Sequence, residues 1–217
     1  MAKVSIVGTS HIAPASIDAA KETILRLRPD CVALELDAER WAALHQRQRA
    51  KPSIRNPMFW LLNSIQTNLG AHTGVLPGAE MLAAVDAAKQ VGAQIVLIDM
   101  PIAETMGRLS AIGFWEKARL VLRLLAGLVP WPGREEIDLK NVPPEKVIDD
   151  ALRWMKKELP ALYKVMITDR NVYMVHWIRE LGRKHERIVV VVGAGHKLGL
   201  ERLLRNKSSR RAKKGRA

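Results

Sequence analysis

The sequence predicts an α/β fold: a mainly parallel central sheet flanked by helices, with a helical insertion in the middle of the chain. Three observations carry this. Four short runs are apolar and β-branched without polar alternation: "KVSIVG" (3–8), "CVALEL" (31–36), "AQIVLID" (93–99) and "RIVVVVG" (187–193). Such runs suit parallel strands covered on both faces. Helical periodicity fills the gaps between them, which is the βα alternation of a parallel sheet. A turn of one kind, Gly-x-x-His, follows the first and last runs, as Gly8–His11 and Gly193–His196.

Taken in order, the first strand is followed by "SIDAAKETILRLR", with Ile17, Ala20, Ile24 and Leu27 at helical spacing and Ser16 as its N-cap. The second strand leads into "DAERWAALHQRQR", where Asp37 can cap the helix. "GAEMLAAVDAAKQVG" enters the third strand, with Gly92 placed as a C′ glycine. A long helical region then runs to the fourth strand, broken by the Pro/Gly-rich stretch 129–146 and interrupted again at Pro160. The expected organisation is one α/β domain over residues 1–204, with the helical insertion at about 101–185 and a basic, disordered tail at 205–217.

Composition bounds the rest. The 217 residues are 48% hydrophobic and 26% charged, as in a folded domain. Cys31 is the lone cysteine and lies in a strand, so it reads as an inert core thiol, and disulfides and cysteine zinc sites are excluded. The formal charge is +13, of which the eight Lys/Arg from Arg202 onward carry +8, leaving +5 for residues 1–201. A tail of that kind can touch nucleic acid or an anionic membrane through non-specific charge, or can simply be solvated. The N-terminus enters a strand without a leader, and no uncharged apolar run of about 18 or more exists, so a cytoplasmic protein is expected. Two amphipathic stretches, 56–70 and 114–133, could lie on a bilayer, cover the core or form a homodimer contact.

Ligands of open α/β sheets bind beyond the carboxyl ends of the strands. Those positions hold Gly8, Thr9, Ser10 and His11, then Glu35 and Asp37, then Asp99, then Gly193, Gly195 and His196. Imidazole serves as a transition-metal ligand or a base near neutral pH, and a carboxylate as a ligand or second base. Gly8, Ser10, Gly193 and Gly195 would let the backbone approach a bound group closely. Each residue also has a plainer reading: the histidines and Asp99 as helix caps, and Glu35 as an ion-pair partner. Glu80 stands in the first turn of its helix, where an acid is favoured by the dipole. Asp169, Arg170 and Asn171 form a polar triplet inside an apolar helix, and must face water, a partner or the site.

In order, "GTSHI", "PDCVALELDAERW", "GVLPGAEMLAAVDAAKQVGAQIVLIDMPIAET", "ITDRNVYM" and "VVGAGHKLG" make the chain resemble the TraB/PrgY family, most of all its archaeal-type members. The resemblance covers residues 3–204. It extends to a wider superfamily with the Tiki proteases, GumN, ChaN and erythromycin-esterase-like proteins, whose mark is paired Gly-x-x-His motifs with acids. It implies a hydrolase-like site on His11, His196 and Glu35, with Glu80, Arg108 and Arg170 as further family-like positions. Relatives are linked to shutting down a peptide pheromone and to peptide cleavage at a membrane surface. Archaeal relatives commonly continue into membrane-spanning helices. This chain departs from the pattern at Asp99-Met100, where the family reads Asp-Arg, and at Asp169-Arg170, where it reads Glu-Arg.

The expectation is therefore a metal-assisted hydrolase of a peptide or small amide or ester. His11, Glu35 and His196 would hold a divalent metal ion or act as bases, while Glu80 and Arg170 orient substrate or stabilise developing charge. The alternative is a non-catalytic protein that sequesters a peptide, or regulates by binding one, in the same cleft.

Overall fold

The computed structural model describes residues 2–9, 14–46, 78–128 and 145–214. Strands β1 (Lys3–Thr9), β2 (Cys31–Leu34), β3 (Gln94–Leu97) and β4 (Arg187–Gly193) form one parallel sheet in the order β1-β4-β2-β3. Between β1 and β2 runs α1 (Pro14–Leu27); between β2 and β3 lie α2 (Ala38–Gln46) and α3 (Ala79–Val91). Between β3 and β4 the described residues form α4 (Ile102–Ser110), α5 (Phe114–Leu128), α6 (Glu145–Glu158), α7 (Pro160–Tyr163), a π-helical stretch (Lys164–Asp169) and α8 (Arg170–Leu181). Helix α9 (Ala194–Lys214) follows β4 directly. The α/β class is as the strand patterns predict, and the stretch 56–70 lies outside the described residues.

The strands lack polar alternation because both of their faces are covered. Val32, Leu34, Val189 and Val191 point to one side, against Ala20 and Ile24 of α1 and Met81, Ala84 and Val85 of α3. Cys31, Ala33, Ile188, Val190 and Val192 point to the other, against Met174, Val175 and Ile178 of α8 and Leu200 of α9. Successive strand residues face opposite sides, so an apolar residue is needed at every position. Each Val, Leu, Ile or Met among them contributes about 1.5–3 kcal/mol when taken from water. Cys31 belongs to this core, and burial, with the Asp30 charge added, pushes its thiol up to about 11. It is a protonated core thiol at neutral pH, as its strand setting suggests.

Several local expectations hold. Asp37 Oδ1 accepts the backbone N–H of Arg40 at 2.7 Å and caps α2. Gly92 closes α3 at φ +73°, a left-handed conformation that glycine adopts without strain. Others are corrected. Ser16 does not cap α1: the helix starts at Pro14, and Ser16 is buried within its first turn. Proline's fixed φ suits the opening turn, so the helix begins earlier than a serine cap implies. β2 and β3 stop at Leu34 and Leu97, short of the acids that follow, although Glu35 N–H still reaches Val191 O at 3.0 Å. Helix α9 continues into the basic stretch as far as Lys214, and extending an existing helix costs far less than nucleating one.

No helix among the described residues is long and apolar enough to cross a membrane. Helix α5 anchors on the α6–α7 junction: Arg119 donates to Glu158 O at 3.2 Å, and Glu116 accepts the N–H of Leu162 at 2.8 Å. Its Phe114 and Trp115 remain 73% and 83% exposed, so they do not serve as core cover.

Candidate active site at the carboxyl edge of the sheet

Because all four strands are parallel, their carboxyl ends share one edge, and the strand order decides which ends become neighbours. β4 lies between β1 and β2, with Leu34 opposite Val191 and Thr9 opposite Gly193. Glu35, the first residue beyond β2, therefore stands beside the end of β4. Its Oε2 accepts the N–H of Gly193 at 2.6 Å. Its Oε1 pairs with the Arg170 guanidinium and lies 3.3 Å from His196 Nε2. The other ring nitrogen, Nδ1, is 2.7 Å from Oδ1 of Asn171. Glu35, His196, Arg170 and Asn171 are all between 4% and 8% exposed.

Arg170 joins β2 to β3. Its Nε and one terminal nitrogen donate to the two oxygens of Asp99 at 3.0 and 2.6 Å, while that same terminal nitrogen meets Glu35. Burial alone would lower the pKa of the guanidinium, but the charges and hydrogen bonds of Glu35 and Asp99 outweigh it and raise it further. Arg40 approaches Asp99 from α2, at 2.5 Å, and also binds Asp37 at 3.1 Å and Met100 O at 3.3 Å. The cluster thus sets three carboxylates against two guanidiniums, with His196 at its margin. The π-helical stretch just before α8 turns Arg170 and Asn171 inward together, and such stretches recur at functional sites. Asp169 faces outward instead, held by Lys164 at 2.9 Å and Arg108 at 2.6 Å. Despite some burial, those two cations keep its carboxyl below the usual range.

Gly8 serves close packing. A Cβ there would come within 3.3 Å of the Ala194 backbone and 3.2 Å of the Lys197 side chain, so glycine lets the start of α9 pass over β1. Gly193 is not a positive-φ turn; β4 feeds α9 without a loop, and the Gly193 N–H goes to Glu35 rather than to a bound anion. A Cβ on Gly195 would meet only ordinary contacts.

Residues 2–210 match the sequence model of the TraB/PrgY/gumN family. The chain belongs to that family. An uncharacterised protein of Methanocaldococcus jannaschii is 28% identical over 93% of this chain and 53% of its own length. The human TraB domain-containing protein is 25% identical over 92% of this chain and 62% of its own length. The chain therefore spans between about half and two-thirds of these relatives.

Of the residues expected at a TraB-family site, Glu35, Arg170, Gly193 and His196 come together. Glu80 is buried at the start of α3, which runs back toward the entry of β3, so the same edge lies at its N-terminal end. Ser10 and His11 lie outside the described residues; the last one before them, Thr9, donates its hydroxyl to Val192 O at 3.1 Å. Arg108 is an outer ion-pair residue. Sequence reasoning places Asp99 at the edge and Asn171 in the polar triplet without giving either a specific role, and it passes over Arg40. The polar triplet inside an apolar helix was the signal for Asn171, and the Asp37-x-x-Arg40 spacing for Arg40; nothing local marks Asp99 as a partner of Arg170.

Proposed function

We propose that this TraB-family chain is a hydrolase of a peptide or a related amide or ester, worked at this edge with a divalent metal ion as cofactor. The observation that carries the reading is the buried Glu35–His196 pair, with Nε2 3.3 Å from Oε1. Two ligands of a four-coordinate ion, at bonds of about 2.0–2.2 Å, stand at about that separation. The pair fits as two members of a ligand set. His11 would be the third, and among the described residues no group of three metal-ligating side chains occurs. The ion would supply a polarised carbonyl and a water of lowered pKa.

The protein's own groups have separable parts in this reading. Glu35 is a ligand of that ion or, where the histidines hold it, the base that takes the proton of the attacking water. Its carboxylate is kept from rotating by Gly193 N–H on one oxygen and by Arg170 on the other. Arg170, already bonded to two carboxylates, holds them in place instead of orienting substrate. Glu80 is proposed to act on substrate from the start of α3.

The test is metal content and hydrolysis of a peptide library, for the parent and for His196→Ala. Bound metal and cleavage in the parent, both lost in the variant with little change in melting temperature, is the expected result. A second reading, a protein that sequesters a peptide, draws on the fact that both Glu35 oxygens are already engaged. Peptide binding that survives His196→Ala, with no turnover by the parent, would favour it and sink the hydrolase.

The basic stretch after Arg202 is proposed to make peripheral contact with anionic lipid or nucleic acid. Deleting Lys207–Ala217 should leave the melting temperature nearly unchanged and weaken binding to anionic vesicles or to nucleic acid in a salt-dependent way. A chain that melts many degrees lower would show that the stretch packs on the body.

A further inference from the structure

Asn171 stands in the first turn of α8, 4% exposed, with its Oδ1 2.7 Å from His196 Nδ1. Gly199 of α9 seats this amide. His196 and Gly199 are three apart on α9 and so share a face of the helix. A Cβ added at Gly199 would overlap Nδ2 of Asn171 and come within 3.3 Å of its Cγ. The amide thus occupies the space that any other residue at 199 would fill. Its carbonyl oxygen only accepts hydrogen bonds, so the ring nitrogen facing it must donate. If the ring is neutral that is its one N–H, and the lone pair lies on Nε2, 3.3 Å from Glu35 Oε1, where a cation between them would hold both acceptors.

We propose that Asn171, seated by Gly199, is a positioning residue that accepts the Nδ1 proton of His196 and leaves Nε2 as the nitrogen available beside Glu35. The proposal deepens the hydrolase reading and rests on it for what Nε2 then does; the proton on Nδ1 does not depend on turnover. An oriented outer partner of this kind fixes both the tautomer and the ring plane of a working histidine.

The test uses the full chain carrying 15N-labelled histidine, without added metal, with the His196 ring signals assigned through His196→Gln. Nδ1 should carry a proton in the parent, and also in Asn171→Asp, which keeps the acceptor and removes the amide donor. In Asn171→Ala and Gly199→Ala the ring should shift to a mixture of the two N–H forms. Zinc affinity, read by calorimetry, should then fall by about 10–100-fold. Gly199→Ala keeps both hydrogen-bonding residues, so it remains informative if Asn171→Ala fails to fold. An unprotonated Nδ1 in the parent, or ring signals unmoved in Gly199→Ala, would overturn the proposal. A protonated Nδ1 in a parent that cleaves no peptide would support the positioning device and count against the hydrolase.

Discussion

An Arg170→Met chain should melt on the order of 10 °C below the parent, the consequence of about 3–5 kcal/mol lost from a domain of this size. The guanidinium side chain is 9% exposed, and it faces Glu35 and Asp99 carboxylates exposed by 4% and 0%. Methionine fills similar space but takes the guanidinium from Glu35, which keeps the Gly193 N–H and His196, and from Asp99, which keeps Arg40 and its bond from the Met100 N–H. Buried negative charge stripped of its shared guanidinium is the cost, since such pairs add little over an apolar core while intact. Adding Glu35→Gln and Asp99→Asn to Arg170→Met should therefore recover part of the loss. Arg108→Met, which removes the outer ion pairs to Glu104 and Asp169, should leave the melting temperature nearly unchanged. Thermal melts of the four chains decide the matter. If the triple variant melts lower still, lost packing around residue 170 is responsible and the charge argument fails.

Glu35→Gln should lower peptide turnover by about 10²–10⁴-fold, the range for removal of a general base. The fold has reason to survive. The Gln carbonyl can still accept the Gly193 N–H, and Arg170 keeps both of its bonds to Asp99. A neutral amide cannot take a proton from water, so the loss should appear in kcat more than in KM. Single-turnover assays with circular dichroism as a folding control measure both. Turnover within a few-fold of the parent in a folded Glu35→Gln chain would remove Glu35 as the base. Peptide affinity unchanged in Glu35→Gln, with no turnover by the parent, would support the sequestering protein instead.

How much of this could be read in advance depends on the range of each interaction. Asp37 and Gly92 act within one turn of their helices, so residue type and spacing alone placed them. The unbroken apolar strands announced a sheet covered on both faces, and parallel strands imply a common carboxyl edge; Glu35, Asp99 and His196 were legible as edge residues on that ground. Ser16 was misread because a local cap rule could not weigh the proline two positions earlier. The extent of α9 is not legible in composition, which reports solvation and charge, while helix continuation depends on the turn already formed.

Pairing is where the sequence by itself stopped. Nothing in the linear order says that β4 inserts between β1 and β2, yet that insertion sets Glu35 beside Gly193, 158 residues away. Arg170 reaches Glu35 across 135 residues and Asp99 across 71, and Asn171 finds His196 across 25. Periodicity and caps are decided by neighbours along the chain, so they leave a local trace in composition. A hydrogen bond between side chains brought together by sheet order and helix packing leaves none, and only the tertiary structure settles which acid meets which base.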